Sequence, residues 1–168
     1  MEAYIQKALA GDQDAFSRLY DTYASSALRL AAAATGRTDL AADAVQEAFL
    51  RVWRKGRQLR GEAFGPWFYR IVLHESRRAA RRNPLPVEVR ETAGGSFTEG
   101  SDLGFAVERA MACLSPEHRT VLAVRFLLGH TEQETASILG LPLGTVKSRI
   151  HSARGALERA LQREEERI

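Results

Sequence analysis

TEQETASILGLPLGTVKSRIHSARGALERAL, residues 131–161, is the stretch whose reading decides the fold. Thr131 and Glu134 stand at capping-box spacing before an apolar run. In that motif the hydroxyl accepts an orphan helix amide and the carboxylate reaches back to the amide of the cap residue. Ala136, Ile138 and Leu139 give the helix that follows its buried side. Gly140 permits a sharp turn, Pro142 blocks continuation, and a second helix begins near Gly144 and Thr145. A short helix, a glycine turn and a longer helix make up the grammar of a helix-turn-helix. In the second helix Val146, Ile150, Ala153 and Leu157 recur on one face and point to a core. The opposite face carries Ser148, His151, Ser152, Gly155 and Arg159, with Lys147, Arg149 and Arg154 on the flanks. Polar side chains near the start of such a helix meet base edges in a major groove, and flanking cations neutralise phosphates. Lys147, Ser148, Arg149, His151, Ser152 and Arg154 are therefore the candidate duplex-reading residues.

Upstream of this motif the chain is helical with one interruption. Ser115-Pro116 reads as an N-cap followed by proline at the first helical position, opening a helix that runs to about Leu128. Cys113, the single cysteine, falls at helical spacing with Val107, Ala110 and Leu114 and is expected as a buried core thiol; a lone cysteine builds no disulfide framework. Residues 83–104, NPLPVEVRETAGGSFTEGSDLG, hold two prolines, four glycines and no helical period, and are expected to form a flexible acidic linker. The N-terminal part reads as a short helix from Tyr4 to Leu9, a helix from Asp14 to about Ala34 closed by Gly36, and a helix capped by Thr38 or Asp39 that runs to about Arg54. A loop with Gly61, Gly65 and Pro66 leads into a helix from Trp67 to about Arg82. The expected fold is all-α: two small helical domains, residues 1–82 and 105–168, joined by the linker 83–104. Domains of this size are marginally stable alone.

Charge is distributed unevenly along the 168 residues. Residues 51–82 carry 10 basic and 2 acidic groups, while residues 1–50 and 83–104 each have a net charge of −3. A basic block between acidic flanks suits a polyanion partner. The polar, acidic start MEAYIQKALAGDQD has no signal-peptide character, and no apolar run nears the ~20 residues that span a bilayer. The expectation is a cytoplasmic chain without membrane insertion. Paired carboxylates, a nucleophile triad and a phosphate-cradling glycine loop are absent, so no enzyme is expected. His74, His118, His130 and His151 show no ligand spacing with one another or with Cys113, so neither a metal nor a cofactor is expected.

Inside the basic block, Arg70, His74, Arg77 and Arg81 form one helical stripe, with Arg78 and Arg82 beside it and Phe68, Val72 and Ala79 on the inward side. A phosphate backbone relieves the mutual repulsion of such arginines. The loop before it mixes Arg57 and Arg60 with Phe64 and Trp67, and aromatics beside cations are what hold an unpaired base. The preceding helix differs: its stripe Ala41, Val45, Ala48, Phe49 and Val52 is apolar, and its outer face shows Asp43, Gln46, Glu47 and Leu50, a mixture suited to a protein partner.

AADAVQEAFLRVWRK, then WFYRIVLHESRRAARR, then LSPEHRTVLAVRFLLGHTEQETASILGLPLGTVKSRIHSARGAL resemble the extracytoplasmic-function (ECF) sigma factors in order and spacing over nearly the whole chain. The resemblance implies a region two, a linker and a region four. It implies that Asp43, Gln46, Glu47, Phe49 and Leu50 bind the beta-prime clamp of core RNA polymerase. It implies that Arg57, Arg60, Phe64, Trp67, Arg70, His74, Arg77, Arg78 and Arg81 meet the minus-ten element and its flipped base. It further implies that Lys147, Ser148, His151 and Ser152 read the minus-thirty-five element with Arg149 and Arg154 on phosphates, that region four rests on the beta flap, and that an anti-sigma factor, separate from a chain that ends soon after region four, masks both domains. The family usually has Asn at the place of His74, often Asp at that of Arg78, and often arginine at that of Ser152, so no relative's promoter sequence carries over to this chain. Two other readings remain open on the residues: a stand-alone helix-turn-helix regulator, which leaves the Arg70–Arg82 stripe without a role, and a sigma mimic that titrates a regulator, which needs no DNA-reading helix.

Overall fold

A computed structural model describes residues 3–59, 61–84 and 102–166. Every regular element among them is helical: α1 (Ala3–Leu9), α2 (Gln13–Thr35), α3 (Thr38–Lys55), α4 (Phe64–Arg82), α5 (Asp102–Ala112), α6 (Pro116–Leu122), α7 (Glu132–Leu139) and α8 (Leu143–Glu165). A 3₁₀ turn, Gly56–Gln58, follows α3, and a π-helical turn, Ala123–Leu127, extends α6. The helix expected to reach Leu128 thus loosens after Leu122, and the Leu128 amide closes it by bonding the Ala123 carbonyl.

The N-terminal unit packs α2, α3 and α4 side by side with α1 across them. Asp12 caps α2 by accepting the Ala15 amide at 2.8 Å, and Gly36 ends it in the left-handed conformation at φ 68°. The expected cap of α3 is not made by Thr38 or Asp39: Thr38 is already helical, Arg37 holds the cap position, and no side-chain cap bond forms. Arg37 instead pairs with Asp39 at 2.5 Å, while the Thr35 hydroxyl accepts the Arg37 amide and donates to its carbonyl. Helix α4 begins at Phe64 rather than Trp67, because Gly65 and Pro66 fit the first turn, where amides lack helical partners anyway. Phe64 then turns inward and is 3% exposed. Its ring stacks on Phe68 at 5.5 Å, and Tyr23 meets both edge-on.

The C-terminal unit wraps α5, α6 and α7 around α8. Ser115 caps α6 by accepting the His118 amide, and both bonds of the Thr131–Glu134 capping box form. Gly140 turns the chain at φ 66°, and α8 starts directly after Pro142. Cys113 departs from expectation. Helix α5 ends at Ala112, so the chain is already turning toward Ser115 and the thiol faces solvent, its Sγ donating to the Arg109 carbonyl at 3.4 Å. Most of the expected linker, residues 85–101, lies outside the described residues, and α5 begins at Asp102, inside the span expected to be non-helical.

The two units pack on each other, and their apolar residues form one continuous cluster. Helix α2 receives α6, and α4 receives α7. The run Ala31–Ala34 lets α6 approach closely because it presents only methyl groups. Arg119 on α6 is 8% exposed. Its Nε donates to the Ala33 carbonyl across the interface at 2.9 Å, and its Nη1 donates to the Leu114 carbonyl at 2.7 Å. The cation thereby sits at the C-terminal, negative end of α2, which compensates part of its burial. Burial still lowers its pKa, with the nearby Glu117 opposing. Two smaller contacts also cross between the units: the Tyr69 ring meets His130 edge-on at 5.5 Å, and Arg70 donates to the Ser137 hydroxyl at 3.3 Å. The Tyr69 hydroxyl is shared with Ser26 at 2.9 Å.

Candidate nucleic-acid interface

Helix α8 carries the first candidate surface. Val146, Ile150 and Ala153 are buried, which turns Lys147, Ser148, His151, Ser152 and Arg154 outward and leaves Arg149 half-buried. Pro142 supplies no side-chain cap, so the first amides of α8 remain available to an anion. The Ser148 hydroxyl donates to the Thr145 carbonyl at 3.0 Å and keeps its acceptor lone pairs free. Lys147 lies 3.9 Å from Glu132 with both side chains well exposed, a pairing too weak to withhold the lysine from a phosphate.

The second surface lies on α4 and the loop before it, and there the structure disperses the sequence candidates. His74, Arg77 and Arg81 are exposed along α4. Arg78 is half-buried, with its Nη1 3.6 Å from Glu75. Arg70 is ion-paired with Glu62 as well as bonded to Ser137. Arg57 donates to the Ala10 carbonyl at 2.6 Å and so ties the end of α1 to the turn after α3. Trp67 is half-buried, its ring 5.8 Å from that of Phe64, and Phe64 itself belongs to the core. Arg60 lies outside the described residues. Beside this loop opens a cavity of about 790 Å³, lined by Glu62, Phe64, Pro66 and Tyr69 from one unit and Leu128 and His130 from the other.

A third surface lies on α3. Asp43, Gln46, Glu47 and Leu50 are exposed on α3, while Phe49 is 4% exposed and forms the floor beneath them. Between α2 and α3 runs a groove of 820 Å³ lined by Phe16, Tyr20, Leu28, Gln46, Leu50 and Trp53. Tyr20 and Trp53 are 46% and 41% exposed, unusual for rings of that size on a closed surface. Trp53, absent from the residues expected to meet a protein partner, follows Gln46 and Leu50 at helical spacing on the same face. A smaller apolar groove of 350 Å³ on the C-terminal unit is lined by Val107, Met111, Leu122, Phe126, Leu127 and Leu157, with Phe126 53% exposed.

Among the described residues no cluster of His, Cys, Asp and Glu could hold a metal, and no helix is long and apolar enough to cross a membrane. A helix-turn-helix with an outward polar face and a separate arginine-rich helix, both among the described residues, are the features of a nucleic-acid-binding protein. The family model for Sigma-70 region 2 matches residues 19–84 and that for Sigma-70, region 4 matches residues 104–157. The ECF RNA polymerase sigma factor SigL of Mycobacterium tuberculosis is 30% identical, over 95% of this chain and 96% of its own length. The ECF RNA polymerase sigma factor SigW of Bacillus subtilis is also 30% identical, over 96% and 99% respectively. The chain belongs to the ECF RNA polymerase sigma factors. The structure of CnrH in complex with the cytosolic domain of CnrY shares the fold, with a TM-score of 0.72, 24% identity and 95% of each chain covered.

Proposed function

We propose that this sigma factor divides its work among three segments: residues 1–82 bind polymerase and read the minus-ten element, residues 83–104 tether, and residues 105–168 read the minus-thirty-five element. The observation that carries this reading is the outward polar and cationic face of α8, set on the same chain as the exposed His74, Arg77 and Arg81 of α4. Lys147, Ser148, His151 and Ser152 read base edges, and Arg149 and Arg154 engage phosphates. Each cation that neutralises a phosphate steepens the dependence of log K on log salt by close to one unit.

The α2–α3 groove takes the beta-prime clamp, with Asp43, Gln46, Glu47 and Leu50 on its rim and Tyr20 and Trp53 as aromatic anchors. Phe49 acts from below by supporting the groove. The apolar groove around Phe126 suits the beta flap. Trp67, with Arg57 and Arg60 in the sequence before it, captures the unpaired base of the minus-ten element; Phe64 shapes the loop from the core. The working place of this sigma factor is the cytoplasm, where the polymerase and promoter are, and its regulator is an anti-sigma factor that covers both units.

Core polymerase, this protein and genomic DNA are incubated, and the run-off transcripts are sequenced. Transcripts that start downstream of a shared two-part motif are expected. DNA binding without polymerase and no new start sites would overturn the reading in favour of a stand-alone helix-turn-helix regulator.

A further inference from the structure

Glu75 is the one acidic residue of α4, a helix with five arginines, and it is 4% exposed. A buried carboxylate costs stability unless cations meet it, and an apolar side chain at such a seam packs helices at lower cost. Two cations meet this one. Oε1 lies 3.1 Å from Nη2 of Arg51 on α3, and Oε2 lies 3.6 Å from Nη1 of Arg78, one turn further along α4. The contact to Arg51 is an ion pair without the alignment of a hydrogen bond, so Oε1 has no hydrogen-bond partner. The arginine side chains remain 39% and 42% exposed. Each guanidinium therefore turns one side toward the buried carboxylate and keeps its other donors for solvent.

This arrangement is poorly suited to neutralising the surface, since the negative charge lies beneath the arginines rather than among them. It is well suited to aiming them. Both contacts are ion pairs rather than hydrogen bonds, that to Arg78 at 3.6 Å, and in arginine's fixed planar fork a carboxylate that attracts one edge leaves the other edge facing outward. A side chain ordered on folding loses less freedom when it binds. Arg78 flanks the outward stripe of His74, Arg77 and Arg81.

We propose that Glu75 is a positioning residue for promoter recognition: from inside the α3–α4 seam it holds Arg78 so that the free edge of the guanidinium meets a DNA phosphate at the minus-ten element. The inference rests on the reading above that α4 faces promoter DNA. Glu75 itself touches no DNA.

A double-mutant cycle tests the coupling. Holoenzyme is reconstituted from core polymerase with the wild-type protein, Glu75→Gln, Arg78→Ala and the double variant. Affinity for a fork-junction DNA with a single-stranded minus-ten segment is measured across a salt series. In the wild-type background Arg78→Ala weakens binding about tenfold, as expected for one charge-assisted contact, and lowers the salt slope by about one. In the E75Q background the same substitution changes affinity by less than about threefold, because Arg78 is no longer aimed. A merely structural Glu75 would leave the effect of Arg78→Ala equal in both backgrounds, and that result overturns the proposal. No effect of Arg78→Ala in either background also overturns it. Glu75→Met, which keeps the volume without the charge, runs the same cycle should Glu75→Gln fail to fold. A wild-type holoenzyme without promoter preference overturns the reading of α4 together with this proposal. A wild-type holoenzyme that selects promoters but shows no coupling overturns the role of Glu75 alone.

Discussion

Replacement of Arg119 is expected to open the molecule. Its guanidinium makes two charge-assisted bonds, and only the one to the Ala33 carbonyl crosses between the units. Such a bond is worth ~1.5–3 kcal/mol. Removal of the side chain also relieves the burial of a cation, whose cost shows in its lowered pKa, so the low end of that range applies. About 1.5 kcal/mol is roughly a tenfold shift from closed toward open. Arg119→Met keeps the apolar stem that fills the space beside Ala33, and it removes the donors. The free protein is measured by small-angle X-ray scattering and by hydrogen exchange of the last turn of α2. A compact chain of 168 residues has a radius of gyration of about 15 Å. Arg119→Met is expected to raise that radius and to speed exchange of the α2 amides packed against α6. An unchanged radius together with unchanged exchange would overturn this expectation, for it would mean that the remaining contacts hold the units together without the Arg119 bond.

Thr135 is fully buried and its hydroxyl has no hydrogen-bond partner, so Thr135→Val is expected to stabilise the protein by about 1 kcal/mol, which is a rise of about 2–4 °C in Tm; a lower Tm by calorimetry would contradict it. Bonding to the Thr131 amide holds the pKa of Glu134 below the ordinary glutamate range, with slight burial opposing and the Thr131 hydroxyl and His130 assisting. Its contribution is therefore fully present above the unfolded glutamate pKa of ~4.3 and is lost as the pH falls through the lowered folded value. Glu134→Gln should flatten the dependence of Tm on pH in that acid window, and an unaltered slope would count against the linkage. Lys147→Ala combined with Ser148→Ala is expected to abolish preference for the upstream promoter element while core polymerase binding persists; loss of core binding in a pull-down would contradict the division between α8 and the α2–α3 groove.

The helix-turn-helix is legible because its signals are local. A threonine and a glutamate at capping-box spacing, a glycine that takes positive φ and a proline that cannot continue a helix act over one turn, and all of them form. Outward residues of α8 follow from the same periodicity, since burying Val146, Ile150 and Ala153 leaves the others no choice. Phe64 shows where local reading stops. An aromatic beside glycine and proline fits a loop, yet the ring enters the core because Phe68 and Tyr23 offer it a stack and an edge contact. Cys113 shows the reverse: helical spacing predicts burial, but the helix ends one residue earlier.

Sequence alone determines that the described residues are helical, that one of their helices is shaped for a DNA groove, and that a basic block sits beside an acidic segment, because capping, periodicity and charge act between near neighbours. Tertiary structure decides what depends on distant partners. Ala33 and Arg119 are far apart in sequence, and only their packing makes a carbonyl and a guanidinium into a bond between the units. Glu75 reads as one more charge in a polar helix until α3 covers it, and only then does Arg51 join Arg78, its neighbour one turn along α4, as a partner. Burial is the physical reason in both cases: it removes water as a competitor, so the choice of partner passes to whichever residues the fold brings near.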